Sequence, residues 1–586
     1  MSTTRADKIL AAVDYLDVWT GAWEKKASSG RGKNGKLTPY GIQKLRELIL
    51  ELAVRGRLVP QDPNDESASV LLERIAKENA RLVKEGEIKK PKKLPEITAD
   101  EKPFDLPEGW MFVRLGEIAY SQAGFAFKSQ FFNENQEGLP LIRIRDVGQP
   151  FSGTYYSGDY RDEFIVDDGD YLISMDGEFR VAEWKNGKAL LNQRVSRLIF
   201  FLRDIGSRFV ADSLQARLRE LQGVKAYTTV DHLSGKQITE SVIALPPLAE
   251  QHRIVAKVDE LMALCDQLEQ EQTGSLETHQ TLVETLLRTL VEAPDAEAAQ
   301  QAWTRIAQHF DTLFTTEHSI DQLKQTILQL AVMGRLVPQD PYDEPASKLM
   351  KKLSSERDKW LEDNKRKNKE CGTMLRKLKK LKSPKEPFPI PNTWVTVHLI
   401  QLCRMLVDCH NKTAPYVDRG IPIIRTSNIR NRRFRMEDVK YVDQNTYNYW
   451  SRRCPPEPGD IIFTREAPMG EAAIIPDGQI YCLGQRTMLI RPMHKFVSKE
   501  YLLLALTEPH LLERASEHAI GSTVKHLRVG DVENLNIPLP PLAEQYRIVA
   551  KVDELIAICD TLISRLNESE TLKGKVASIL IEQVVA

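Results

Sequence analysis

Apolar residues after Leu248 recur as Ile254, Val258, Leu261, Cys265 and Leu268, at spacings of four, three, four and three. That is the seam of a heptad helix. The same spacing returns in Ile548, Val552, Leu555, Cys559 and Leu562. Proline lacks a donor N–H and clashes with the preceding turn, so the LPP before the first seam places the helix start near Leu248. Upstream, Ile42, Leu45, Ile49 and Leu52 mark another helix face, and Ile320, Leu323, Ile327 and Leu330 repeat it. Each is followed by a glycine, Gly56 or Gly334, suited to a C-cap before an LVPQDP turn. Between the helical stretches the pattern changes to short β-type runs: VRLGEIA, LIRIR, DYLISM and SRLIFF, then IIR, DIIFT, AAIIP and TMLIRP. Helical stretches follow at about 207–222 and 498–516, which makes each of these regions a mixed α+β domain. An apolar seam needs a partner. Two copies in one chain can supply it to each other, so the expectation is an antiparallel intramolecular coiled coil.

The repetition extends to whole phrases. Residues 245–269 return almost unchanged at 539–563, and ILELAVRGRLVPQDPNDESAS from Ile49 returns from Ile327. Weaker matches keep the same order between them. Trp110 falls over Trp394, GLPLIRIRDV over GIPIIRTSNI, and Gly169-Asp170 over Gly459-Asp460. Gln193-Arg194 falls over Gln485-Arg486, and TTVDHL from Thr228 over STVKHL from Ser522. A tandem duplication with small loop insertions accounts for this. The expected fold is α+β: two pseudo-repeated globular domains separated by long conserved helices. The boundaries read as an N-terminal helical region (1–105), a first domain (106–245), a central helical region (246–389), a second domain (390–539) and a C-terminal helix (540–586). Residues 64–100 and 343–386 alternate Lys with Glu and end in proline clusters, which reads as solvated helix plus linker.

Composition narrows the function. At 586 residues with 42% apolar and 28% charged side chains, the chain is expected to be folded, in three to four domains. Net charge is −1, so any affinity for nucleic acid has to come from local positive charge or from partners. No apolar run approaches a membrane span, and the first residues lack a signal-peptide layout, which points to the cytoplasm. Seven cysteines in so long a chain do not suggest a disulfide framework; Cys265 and Cys559 fall on apolar helix faces as buried thiols. Catalytic signatures are missing. GRGKNGK (Gly30–Lys36) has Leu37 where a phosphate loop needs Ser or Thr, and no apolar strand precedes it. Cys403, Cys409 and His410 lack the second pair of a zinc site, so they read as ordinary thiols. Asp168, Asp170, Asp176 and Glu178 could form a nuclease cluster, but their repeat partners are Pro458, Asp460, Glu466 and Pro468, which favours a turn role for Gly169-Asp170.

The β-rich regions do carry side chains suited to base edges. Arginine reads guanine through O6 and N7, Asn or Gln reads adenine, and a carboxylate accepts from cytosine N4. The first region offers Arg143, Arg145, Asp146, Asp176, Glu178, Arg180, Gln193 and Arg194. The second offers Arg425, Asn428, Arg430, Arg432, Arg433, Arg435, Arg465, Glu466, Gln485 and Arg486, with Lys525 beyond them. The second is slightly positive and the first slightly negative, so phosphate attraction alone would not make a tight binder.

The twin LPPLAEQxRIVAKVDEL phrases, the twin GRLVPQDP phrases and the two divergent inserts resemble the DNA-specificity subunit of type I restriction–modification systems, most of all the enterobacterial branch with long subunits. The resemblance covers nearly the whole chain. It implies that each insert is a target recognition domain reading one half of a bipartite, asymmetric site in double-stranded DNA. It further implies that two modification subunits dock on the conserved frame, that two restriction subunits join them, and that S-adenosylmethionine, ATP and magnesium belong to those partners. No catalytic residue, metal or cofactor is then expected on this chain. A helix over residues 248–272 would span about 38 Å, close to the roughly 34–36 Å of one B-DNA turn. Two other classes stay open on sequence alone: a scaffold that binds only proteins, and a self-contained nuclease or methyltransferase.

Overall fold

The computed structural model describes residues 16–25, 37–88, 91, 93–224, 232–466, 468–511 and 527–585. The GRGKNGK segment and Lys525 lie outside them. Two compact units emerge: residues 1–275 with 569–586, and residues 276–568. The principal helices are α1 (Tyr40–Val54), α2 (Ala68–Glu85), α3 (Ser207–Val224), α4 (Leu248–Val291), α5 (Glu317–Val332), α6 (Ala346–Asn364), α7 (Lys499–Leu506) and α8 (Leu542–Val585). Among the described residues no helix is long and apolar enough to cross a membrane.

Both heptad seams are buried. In the first unit Ile254, Val258 and Cys265 share a core with Ile42, Leu48, Ile49 and Leu52 of α1 and with Ala577 near the end of α8. Leu261 and Leu268 pack against the same core, and Arg46 of α1 pairs with Asp266 (2.6 Å) and Glu269 (2.8 Å) of α4. In the second unit Ile548, Val552 and Cys559 share a core with Ile320, Leu323 and Ile327 of α5 and with Val283, Leu287 and Leu290 near the end of α4. Leu555 and Leu562 pack on it, and Lys324 pairs with Asp560 (2.6 Å). In each unit, then, the beginning of one long helix shares a core with the end of the other, the order an antiparallel pair has. The seam also takes a third helix, α1 or α5, that periodicity had not paired with it.

Two expectations change. The long helices contain 44 residues each, about 66 Å at ~1.5 Å per residue, so the 38 Å ruler was too short. Beyond Leu268 no proline interrupts α4, and Val283, Leu287 and Leu290 give it a second apolar face for the other unit. The Lys/Glu-rich segments are also more than solvated linkers. Leu71 and Ile75 of α2, and Leu349, Leu353 and Leu361 of α6, are buried, because apolar residues recur at helical spacing beneath the charges.

A polar clamp, made twice, joins the two repeated phrases. After α1 the chain turns through Gly56 (φ +63) with Arg57 N–H bonded to Leu52 O (2.8 Å); after α5 it turns through Gly334 (φ +71) with Arg335 N–H bonded to Leu330 O (3.0 Å). This is the Schellman ending, with the glycine in the left-handed region. A Cβ on Gly56 would come within 2.7 Å of the Trp110 ring, and one on Gly334 within 3.0 Å of the Trp394 ring. The indole N–H of Trp110 donates to Glu250 (2.9 Å) and that of Trp394 to Glu544 (3.0 Å). Gln61 and Gln339 donate to the other oxygen of each carboxylate, at 3.1 and 2.6 Å. One turn on, Arg253 pairs with Asp65 and Arg547 with Asp343, both at 2.6 Å. Each carboxylate lies in the first turn of a long helix, where the helix dipole favours it.

Each α+β domain is closed at its neck by one antiparallel ladder. In the first domain the principal strands are β1 (Met111–Arg114), β2 (Ala119–Ala123), β3 (Leu139–Ile142), β4 (Tyr171–Ser174), β5 (Val181–Glu183), β6 (Ala189–Leu191), β7 (Val195–Phe200) and β8 (Val242–Leu245). The second contains β9 (Val395–His398), β10 (Cys403–Asp408), β11 (Ile421–Ile424), β12 (Ile461–Thr464), β13 (Ala472–Ile474), β14 (Cys482–Leu483), β15 (Thr487–Pro492) and β16 (Asn536–Leu539). β1 pairs with β8, and β9 with β16, so each domain starts and ends side by side. Within them the antiparallel sheets β5-β4-β7-β2 and β13-β12-β15-β10 have the same order. A second sheet in each holds a parallel pair, β3 with β6 and β11 with β14. The Gly-Asp turn serves both: Asp170 meets Arg197 (3.1 Å) and Asp460 meets Arg491 (2.7 Å).

Burial raises the Glu250 and Glu544 carboxyls above the ordinary value of 4.5, outweighing the hydrogen bonds from Trp and Gln that lower them. Native protein then binds more protons than unfolded chain in the window above 4.5, and the contribution of these two groups falls as pH rises through it. We expect the stability difference between wild type and a Glu250→Gln/Glu544→Gln variant, from urea unfolding between pH 5 and 8, to shrink with rising pH. A difference that stays flat or grows contradicts the clamp's electrostatics.

Candidate nucleic-acid interface

The parallel strand pair collects the candidate residues. Because β3 and β6 run in the same direction, with Leu191 beside Ile142, the segments that follow them leave the sheet at one edge. Those segments are Arg143–Asp146 and Asn192–Arg194. Antiparallel pairing of Val195 with Ser174 brings Met175 and Asp176 to the same edge. The second domain repeats the construction. Leu483 lies beside Ile424, Gly484 N–H bonds Ile424 O (2.8 Å), and Arg465 N–H bonds Arg486 O (2.9 Å). A Cβ on Gly484 would lie 3.0 Å from Arg425. Residues scattered along the chain therefore form one ridge per domain.

On each ridge an arginine is held by a carboxylate from the neighbouring strand. Arg194 pairs with Asp176, which also accepts from His232 (2.6 Å). Arg486 pairs with Glu466 (2.8 Å). The two arginine side chains remain 60% and 61% exposed, enough to reach a ligand while one edge of the guanidinium is fixed. Burial alone would raise the Asp176 carboxyl, but the hydrogen bonds from His232 and Arg194 outweigh it and hold the group below the ordinary aspartate range. Arg486 has φ +66, the left-handed backbone at the tip of its loop. Gln193 is exposed, and half-buried Gln485 donates to Asn411 O (3.0 Å).

Other candidates are used within the fold. Asp146 is buried and accepts from the N–H groups of Arg143 (2.7 Å) and Ser152 (2.8 Å). Asn428, its counterpart, is buried, accepts from Arg425 N–H (3.2 Å) and donates to Arg435 O (3.1 Å). Both shape the turn after the first parallel strand and do not face solvent. Arg465 pairs with Asp408 (3.0 Å), Arg430 folds onto Thr426 O (2.8 Å), and Arg425 donates to Asp438 O (2.8 Å). Asn431 and Arg432 both have positive φ, forming the two-residue turn of a hairpin that joins Ile429–Arg430 to Arg433–Phe434. Arg432 is half-buried, with Asp553 and Asp560 of α8 in its surroundings; burial lowers its pKa and the two carboxylates oppose that shift. Arg180 pairs with Glu178, Arg145 bonds Ser152 (2.9 Å) at the surface, half-buried Arg143 sits at the edge, and Arg433 is exposed. Asp168, Asp170, Asp176 and Glu178 serve different partners and form no cluster.

Sequence reasoning passed over the aromatic residues of the ridges. TYNYWSRR (446–453) carries Tyr449, Trp450 and Arg452 on and just after the short helix Gln444–Trp450, beside His410. Its alternation of aromatic and basic residues was the available signal. Phe125, beside Asn192 on the first ridge, had no such flanking signal.

The chain is similar to known proteins over most of its length. The family model for the type I restriction modification DNA specificity domain matches residues 107–278 and 391–569. The chain is 36% identical to the type I restriction enzyme EcoAI specificity subunit of Escherichia coli, over 94% of this chain and 95% of that protein. It is 34% identical to the EcoEI specificity subunit of the same species, over 97% and 98%. Among solved structures, the HsdS subunit from Thermoanaerobacter tengcongensis aligns with 82% of this chain and 98% of its own, at 17% identity and a TM-score of 0.37.

Removing the two buried turn-shaping side chains tests the division between ridge and scaffold. Asp146→Ala and Asn428→Ala should each lower stability by about 1–2 kcal/mol. Gln193→Ala and Arg433→Ala, at the surface, should stay within about 0.5 kcal/mol of wild type. Urea midpoints decide it; equal losses in all four variants would remove the distinction.

Proposed function

The chain belongs to the type I restriction modification DNA specificity family, and we propose that its two domains each read one half of a bipartite, asymmetric DNA site. The observation that carries this reading is the repeated ridge: the same strand pairing presents Arg194 and Arg486 at equivalent positions, each oriented by a carboxylate, amid neighbours that differ between domains. An arginine with one guanidinium edge fixed can direct the other to guanine O6 and N7. Different neighbours give the halves different sequences. The proposed readers are the exposed members of the set, Arg145, Gln193, Arg194, Arg433 and Arg486, with Gln485, Arg143 and the Arg180–Glu178 pair at the margins.

The frame is the mount. Leu264 on α4 and Ile558 on α8 are repeat equivalents, both large, apolar and 49% exposed. Equivalent exposed apolar residues on both repeats suit two copies of one partner. In this reading those copies are the modification subunits, which carry S-adenosylmethionine and transfer methyl groups to adenine N6, with two restriction subunits and their ATP and magnesium added to the assembly. The chain itself is the non-catalytic reader, working in the cytoplasm where the DNA is. The domain limits 106–245 and 390–539 are proposed as the exchangeable units, since the β1–β8 and β9–β16 ladders close each neck.

In complex with its modification subunit, the chain should bind one split sequence far better than scrambled DNA at moderate salt. Arg486→Gln should weaken that binding by about 1–3 kcal/mol and relax one position in one half-site only. Replacing residues 111–244 by the corresponding insert of another family member should change the other half alone. Equal affinity for scrambled DNA, or an exchange that alters both halves, would defeat the reading.

A further inference from the structure

Strand register reveals an equivalence that the sequence alignment hides. Ala123 pairs with Ser196 in the first domain and Asp408 with Met488 in the second. The next residues, Gly124 and Cys409, donate to the carbonyls of Val195 (3.0 Å) and Thr487 (3.2 Å). The position after that is therefore Phe125 in one domain and His410 in the other. Both are flat rings at the edge of the arginine ridge: Phe125 bonds Leu191 O through its N–H (2.9 Å) and bridges to Asn192, while Cys409, just before His410, accepts from Arg486 N–H (3.2 Å).

Each ring belongs to an aromatic group that carries a guanidinium. Phe125 is 41% exposed, with its ring 5.2 Å from Phe164 and the Arg161 guanidinium 6.0 Å from its centre. His410 stacks on Trp450 (4.5 Å, 21°) and lies 5.5 Å from Tyr449, which is 54% exposed and has the Arg452 guanidinium 4.0 Å from its ring centre. Burial, then the nearby Arg452, Lys412 and Arg453, push the His410 imidazole below the ordinary histidine range, so it stacks as a neutral ring at neutral pH. Single exposed rings are ordinary, but exposed rings gathered into a contiguous group mark an interaction surface. Here two diverged repeats place a ring, Phe125 or His410, at the same point of the fold beside the arginine ridge, and in the second domain the exposed ring is Tyr449, next to His410.

We infer that Phe125 in the first domain and Tyr449, braced by His410 and Trp450, in the second are specificity-determining contacts that meet the apolar surface of DNA bases in their own half-sites. This rests on the reading of the two domains as DNA readers. The ring supplies a contact that no phosphate can accept, and the adjacent guanidinium supplies the phosphate attraction. The base surface touched is either the face of a displaced base or the methyl edge of a thymine.

The test uses the complex with the modification subunit and two duplexes: one carrying the sequence found methylated at adenine in cells expressing the complex, and a scrambled one. Phe125→Ala and Tyr449→Ala should each weaken binding to the methylation-site duplex about five- to hundredfold, with scrambled binding and the slope of log affinity against log salt unchanged. The loss from each variant should disappear when its own half-site is scrambled and persist when the other is. Phe125→Tyr and Tyr449→Phe, which keep the ring, should bind like wild type. Replacing the thymines of that half-site by uracil reproduces the loss if the methyl is touched and does not if the ring stacks. A reduced salt slope, or equal losses on both duplexes, would make these phosphate contacts and overturn the inference; so would unchanged binding by both alanine variants. If wild type itself fails to prefer the methylation-site duplex, the proposed function has failed instead, and co-purification with the modification subunit shows whether a variant has lost its fold.

Discussion

A buried carboxylate at the start of a long helix is the constraint from which the rest of this architecture follows. Glu250 and Glu544 lie inside the protein, where an unpaired charge or polar group would be costly. Each is satisfied by an indole just before the first strand of a domain and an amide from the turn after the preceding frame helix. That single group fixes three elements relative to one another: frame helix, domain neck and long helix. It also accounts for the invariance of the repeated phrases. Gly56 and Gly334 have no room for a Cβ because the indole that reaches the carboxylate, and the proline three residues before it (Pro107 or Pro391), lie against them. The proline pair sets the helix start so that the third helical residue is the glutamate.

With the neck held this way, the loops of each domain are left to diverge. The β1–β8 and β9–β16 ladders bring the domain's two ends together at the clamp, and the sheets beyond them keep their strand order while their loops diverge. The parallel pair then gathers distant segments on one ridge. Conservation of topology with variation of loop content lets one mount carry two different surfaces. The arginine and its carboxylate mark the fixed part of the ridge, and the aromatic group the part each domain has filled in its own way.

Much of the frame was legible in the sequence because its periodicity is local. Ile254 through Leu268 and Ile42 through Leu52 announce their helices by spacing, and duplication supplied a second reading of each. The third helix of each core was not legible, since which faces meet is a tertiary fact. The length of α4 was missed because its apolar seam shifts to a new face after Leu268 instead of stopping. For the ridge, residue type was visible but direction was not. Asp146 and Asn428 look like base readers until a tight turn claims them, and Arg432 sits in a basic run yet is half-buried in a hairpin turn. Phe125 and His410 differ in type and in offset, so only hydrogen-bond register could align them.

The two long helices each belong to both units: α4 leaves the first at Ser275, and α8 enters it at Ser569. The core of the first unit therefore includes Ala577 of α8, with Leu580 and Ile581 packed against it. That unit is discontinuous in sequence: the chain runs through the whole of the second unit before α8 returns to the face of α1 and α4. Closing so long a loop carries a large entropy cost, though one that grows only slowly with length. The seam of α1, α4 and α8 thus makes the folding of the first unit wait on a contact that the second unit must deliver.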